Sequence, residues 1–263
     1  TMVGFSSCLN SEDDGIREWG GYFEVNNTYG SVNFVDPTGI QLVPNKTIID
    51  APASSALAYI NYQYKDDDMA QIEQTKKLPV TLLQDPVYLK RLDCLTTTLP
   101  EETKTVSIYS LGERDALVWG NNKYLILAPT ILLKKGTTSE NLSTELLNHR
   151  LTLYYLSAEG DEDANTLKLY LRYEISGIGG SSTEETDDKE SWASDYNVRY
   201  TNVSHVNLQP IISMYKSTHS GSEPEKVTVE YEYNNSTSSI PTIAKKQTKT
   251  VTYNLYTETS SNN

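Results

Sequence analysis

Few side chains in this sequence could do chemistry, and their spacing decides what kind. It has two cysteines. Cys8 stands in GFSSCLNSEDDG, behind Ser6 and Ser7 and just ahead of the acidic run Ser11-Glu12-Asp13-Asp14. A thiol in such a polar leader has no obvious packing role: it is either incidental or a handle. Cys94, in YLKRLDCLTT, lies in a structured region and reads as a small buried hydrophobe. Thiolate catalysis needs a nearby base, and none adjoins it. The three histidines, His149, His205 and His219, fall in separate segments without metal-ligand spacing. No Gly-x-Ser-x-Gly elbow and no glycine-rich phosphate loop occurs. Asp161–Asn165 (DEDAN) opens like a calcium loop. Thr166 then stands where the turn needs Gly, and Arg172 where the bidentate Glu should be, so a solvated hairpin loop is expected. A glycoside-hydrolysing pair of carboxylates is defined by separation in space. With 35 acidic residues the sequence nominates no such pair. What remains is binding. Trp192, in ESWASDY beside Tyr196, follows a polar loop and is the best candidate to stack on a sugar; the plainer and favoured reading is that it plugs the end of a sheet sandwich. The expectation is therefore no catalytic residue, no metal and no cofactor.

The elements that would position such residues are strands. The chain has 19 Tyr but only 3 Phe, which suits strands whose aromatics keep a polar tip near water. Short runs punctuated by Gly, Asn and Asp-Pro fill the first part. In LAYINYQY, Ala58, Ile60, Tyr62 and Tyr64 share one face, with Leu57, Tyr59, Asn61 and Gln63 opposite. A further strand is expected from Pro79 to Leu83. Several short strands within one stretch predict a small barrel over 16–95. TTTLPEET, 96–103, reads as a linker, because it is poor in apolar residues and holds a Pro.

Longer alternating strands follow over 104–257. In NTLKLYLRYEI, Leu167, Leu169, Leu171 and Tyr173 oppose Lys168, Tyr170, Arg172 and Glu174. KVTVEYEYN and KTVTYNLYTE alternate in the same way. One wet face per strand predicts an antiparallel sandwich. The fold class is thus all-β, a small barrel followed by an antiparallel β-sandwich. Polar loops are expected from Gly177, Ser217 and Asn234, a leader over 1–15 and a frayed tail over 258–263.

The formal net charge of -13 argues against nucleic-acid binding, which needs a basic surface. It also disfavours electrostatic docking on anionic lipid. No apolar run of 18 residues is present, so no transmembrane helix is expected.

Ser6-Ser7-Cys8 resembles the small-small-Cys end of a bacterial lipobox, with Phe5 where Leu is usual, and the acids behind it resemble the export signal of Bacteroidota surface lipoproteins. VDPTGIQLVPN, AYINYQYKDDD with KLPVTLL, RDALVWGNNKYLILAPTI, HRLTLYYL and TLKLYLRYE resemble, in that order, the NigD-like family of such lipoproteins. Thr38 interrupts that family's Asp-Gly pair, while Trp119, Tyr124 and Leu125 match its strand motif. The resemblance implies an OB-type barrel followed by a β-sandwich. It implies acylation of Cys8, an outer-membrane location facing outward, and a non-catalytic accessory or immunity role of the bacteriocin-operon type. The partners expected are the membrane, through the acyl anchor, and a glycan or envelope protein, but no nucleic acid. A structural or adhesive subunit is the alternative, and a glycosidase a more distant one.

Overall fold

In the computed structural model, which describes residues 15–28, 30–112, 114, 116–157, 165–178, 195–233 and 246–256, strand β1 (Ile16–Thr28) pairs with two different partners. Its first part, Ile16 to Glu24, lies antiparallel to β4 (Leu57–Lys65). Its last part, Glu24 to Thr28, lies antiparallel to β2 (Ser31–Val35). β2 pairs with β3 (Gln41–Pro44), and β3 runs parallel to β5 (Lys77–Leu82), which returns antiparallel to β4. The order β1-β2-β3-β5-β4 therefore closes back on β1 as a five-stranded barrel of OB type. The short β6 (Val87–Tyr88) adds to β4, and β7 (Lys90–Arg91) ends this unit, which spans Thr1–Arg91.

The alternation in β4 works as its spacing predicts: Ala58, Ile60 and Tyr62 are buried with Phe23, Phe34 and Leu42 inside the barrel. The β2–β3 turn is held by Asp36. Its Oδ1 accepts the Thr38 and Ile40 backbone N–H groups, both at 2.8 Å, and the Thr38 hydroxyl. Thr38 thus contributes to an Asx turn, and Gly39 takes the left-handed φ of 91°. The KDDD segment becomes a single helical turn, α1 (Asp66–Met69), followed by α2 (Ile72–Thr75). Gly20 lets two β4 side chains lie over the β1 backbone. A Cβ there would lie 2.8 Å from the Tyr59 phenol oxygen and closer still to Asn61 Oδ1.

The second unit spans Leu92–Asn263. Its largest sheet has the order β17-β16-β13-β12-β8, made of β8 (Asp93–Leu95), β12 (His149–Tyr154), β13 (Thr166–Ile175), β16 (Lys226–Tyr233) and β17 (Gln247–Asn254). A second group places β10 (Tyr124–Leu127) between β9 (Ala116–Trp119) and β15 (Ser204–Asn207), and a two-stranded sheet joins β11 (Thr130–Lys134) to β14 (Tyr196–Thr201). Leu153, Leu167, Leu169, Val227 and Val229 form one core with Leu125, Leu127 and Ile131.

All-β architecture is what the alternation predicts, but the large sheet is mixed. β12–β8 and β13–β16 are parallel, while β12–β13 and β16–β17 are antiparallel. The reason is a long crossover. The chain leaves β13, builds β14 and β15, and forms α4 (Gln209–Thr218) before it enters β16, and only such a connection returns a strand parallel. α4 is an element that the strand-based reading overlooks. Pro210 sits in its first turn, and Ile211, Ile212 and Tyr215 recur at helical spacing and are buried. α3 (Leu142–Leu146) is the short helical turn before β12.

Gly20→Val should overpack the β1–β4 face and lower barrel stability by about 1–3 kcal/mol. Thermal melting followed by circular dichroism checks this, and an unchanged midpoint would show that Tyr59 and Asn61 move aside without cost.

Candidate functional site

Period-two alternation places Lys168, Tyr170 and Arg172 on the sheet face opposite the core, where water was expected. That face is filled instead. Tyr170 and Arg172 are buried, and so is Glu232 on the neighbouring β16. Arg172 Nη2 donates to Glu230 Oε1 at 2.9 Å, and its Nη1 donates to the Leu171 carbonyl at 3.0 Å. Its Nε lies 3.8 Å from Glu232 Oε1. Lys246 Nζ stands 3.1 Å from Glu232 Oε2 and donates to Thr105 Oγ1 at 2.7 Å. The Thr105 hydroxyl donates to Glu232 Oε2 at 2.7 Å. Lys168 pairs with Glu230 at 3.5 Å, and both Lys168 and Arg172 sit over the Tyr170 ring. This is the densest set of charged groups described in the molecule. Glycoside hydrolysis needs two carboxylates facing each other across a gap. Glu230 and Glu232 lie side by side on one strand, and each is engaged by cations. The cluster ties β13, β16 and the segment before β17 together.

A second polar group lies beneath α3. His149 Nε2 is 2.9 Å from Glu145 Oε1, which also accepts the Lys134 backbone N–H at 3.0 Å. With Nε2–H donating to the carboxylate, Nδ1 accepts the proton of the Tyr173 phenol. Tyr173 is 1% exposed, and burial pushes its phenol well above the usual tyrosine range. The carboxyl of Glu145 ends below its ordinary value: burial raises it, but hydrogen bonds from His149, the Lys134 backbone N–H and Asn148 outweigh that. The group resembles a proton relay but reaches no surface through Tyr173, so it serves to pin α3 onto β12 and β13.

The other histidines stand in separate surroundings. His205 is buried in β15 and meets Tyr124 edge-on. His219 follows α4 with its ring stacked on Tyr215 at 3.8 Å. The Cys94 thiol is half-buried against the core, and burial pushes it up to about 12, which keeps it protonated. Among the described residues no group of three His, Cys, Asp or Glu is arranged to hold a metal.

Of the residues singled out in the sequence, Cys8, Ser11, Glu12, Asp13, Asp14 and Trp192 lie outside the described residues. Tyr196 is placed in β14, 9% exposed, edge-on to His149. That position withholds its ring from a sugar and spends it on the polar group under α3. Another aromatic pair lies at the surface of the barrel. Tyr22 and Tyr59 stand opposite each other on the outside of the barrel, half-buried, with ring centroids 5.2 Å apart. The alternation of β4 already places Tyr59 and Asn61 on its outer face; their partnership with Gly20 and Tyr22 depends on register.

No family model and no curated protein matches the chain. Solved structures share its fold. A protein of Bacteroides fragilis, provisionally named a lipoprotein, is 22% identical with a TM-score of 0.68, covering 92% of this chain and 99% of that one. A Bacteroides vulgatus protein of unknown function is 12% identical with a TM-score of 0.54, covering 93% of each. A NigD-like immunity protein from Bacteroides caccae is 11% identical, covering 86% and 90%, but its TM-score of 0.47 is too low to carry an argument. The barrel followed by a sheet-rich unit is therefore an architecture already seen in Bacteroides chains of the same extent.

Two substitutions test the polar clusters. Arg172→Met should cost roughly 3 kcal/mol in urea unfolding, because it leaves buried carboxylates under-compensated; a near-neutral result would show the cluster is not coupled. Because the folded Glu145 carboxyl lies below its ordinary value of 4.5, its contribution is full above that value and is lost as pH falls through the folded one. Glu145→Gln should therefore melt below the native chain at pH 7, with the gap closing towards pH 3. A gap that persists in acid would contradict this.

Proposed function

We propose that this chain is a lipid-anchored, non-catalytic accessory protein of a bacterial outer membrane, facing outward and binding an envelope or extracellular component. The observation that carries this reading is Ser6-Ser7-Cys8 followed within a few residues by Ser11-Glu12-Asp13-Asp14. Small residues before a cysteine suit acylation of its sulfur. Each acyl CH₂ buried in the bilayer contributes about 0.8 kcal/mol, so one chain holds marginally and several hold firmly. The fold shared with the Bacteroides fragilis protein named as a lipoprotein supports the same placement. The net charge of -13 suits a domain held in solvent away from anionic headgroups. The described chemistry points the same way. The thiol of Cys94 is protonated, Glu230 and Glu232 are engaged by cations, and His149 serves packing.

The test is fractionation of Bacteroides fragilis cells expressing the full chain behind a complete export signal. The native protein should sediment with outer membranes and be shaved from intact cells by protease. Cys8→Ala should release it to the soluble fraction. Alanine at Ser11, Glu12, Asp13 and Asp14 together should leave it membrane-bound but protected in intact cells. Membrane retention of Cys8→Ala would overturn the anchor, and unchanged shaving of the quadruple variant would overturn the address.

A further inference from the structure

The outer face of the barrel holds an arrangement that none of these roles uses. Here Glu18, Gly20 and Tyr22 of β1 stand opposite Gln63, Asn61 and Tyr59 of β4. The phenol oxygen of Tyr59 lies 2.8 Å from where a Gly20 Cβ would be, and its ring carbon Cζ lies 3.5 Å away. The ring therefore leans along the sheet across Gly20 rather than standing upright on it. Tyr22 braces it edge-on, with the planes 70° apart. Beside the ring, Asn61 Oδ1 also hangs over Gly20, and among the described residues the Asn61 amide makes no side-chain hydrogen bond. Val87 of β6, paired with Tyr59, is 55% exposed, and Leu83, whose N–H donates to the Asn61 carbonyl, is 47% exposed.

A ring that covers a glycine in a sheet has a plain structural use, since it restores the packing that glycine lacks. That use accounts for Tyr59. It leaves unused the half-buried Asn61 amide beside the ring, which makes no side-chain hydrogen bond among the described residues, and the two exposed aliphatic side chains at the rim. A flat ring face, an amide with two donors and an acceptor, and an apolar rim are together what a pyranose needs: its C–H face meets the ring and adjacent hydroxyls meet the amide. Glu18, exposed on the same face, and the overall charge of -13 disfavour an anionic sugar.

We propose that this β1–β4 face of the barrel binds a neutral carbohydrate chain, with Tyr59 as the stacking platform and Asn61 as the hydroxyl-reading group. The assignment rests on the accessory-binding role and names its ligand class. The test is native electrophoresis of the full chain in gels containing neutral glucan, mannan or xylan, or the anionic polygalacturonate, followed by calorimetry with the matching soluble hexasaccharide. The native chain should be retarded by at least one neutral polymer and not by polygalacturonate. Asn61→Ala should weaken binding about tenfold, equivalent to ~1.4 kcal/mol, with its melting midpoint unchanged because the amide holds nothing in the fold. Tyr59→Phe should retain binding and Tyr59→Leu should lose it. Indifference to all neutral polymers, retardation by polygalacturonate alone, or full binding by Asn61→Ala would overturn the proposal. Such a failure with Cys8-dependent membrane attachment intact removes the sugar site and leaves the accessory role standing. Loss of that attachment removes the role itself.

Discussion

The whole N-terminal unit depends on one strand serving two neighbours. β1 leaves β4 at Glu24 and continues along β2, and this shared pairing is what closes five strands into a barrel. An open sheet of short strands would expose unpaired edges, and closure removes most of them. On the outer face of the β1–β4 pairing, Gly20 leaves room for the ends of Tyr59 and Asn61 to lie over the β1 backbone. The register that closes the barrel thus sets this ring and this amide side by side.

The second unit meets a different demand. Its large sheet must cover both faces, because one packs on the core while the other carries Tyr170, Arg172 and Glu232, all buried. Burying charge is costly unless it is paired. The chain meets this by arranging Arg172, Lys246, Lys168, Glu230 and Glu232 so that each cation has a carboxylate. The parallel pairing of β13 with β16 brings these residues into register. Their chemistry is therefore consumed in holding strands together. The same holds beneath α3, where Glu145, His149 and Tyr173 form a chain of hydrogen bonds with a structural outcome. In both clusters the ionisable side chains engage one another and join strand to strand or helix to strand.

Strands β4, β13 and β16, the acidic charge and the lipobox-like leader are all legible along the chain. Period-two alternation is a local property, and Ala58, Ile60 and Tyr62 or Leu167, Leu169 and Leu171 declare their buried face without any neighbour. What alternation cannot declare is whether the second face is wet. Arg172 and Tyr170 look solvent-facing in isolation, and only partners on β16 and the segment before β17 cover them. α4 gives little local signal, because it follows a stretch of strand-like residues and its apolar spacing is short.

The all-β class, the acidic net charge and the polar leader with its cysteine can be read from the chain alone, because composition and period are carried by each segment. The tertiary structure decided the mixed sheet, the fate of Tyr196 beside His149, and the meeting of Gly20, Tyr22, Tyr59 and Asn61. Those are matters of register and crossover, which join residues tens of positions apart. The energy that selects one register over another lies in contacts that no single segment contains.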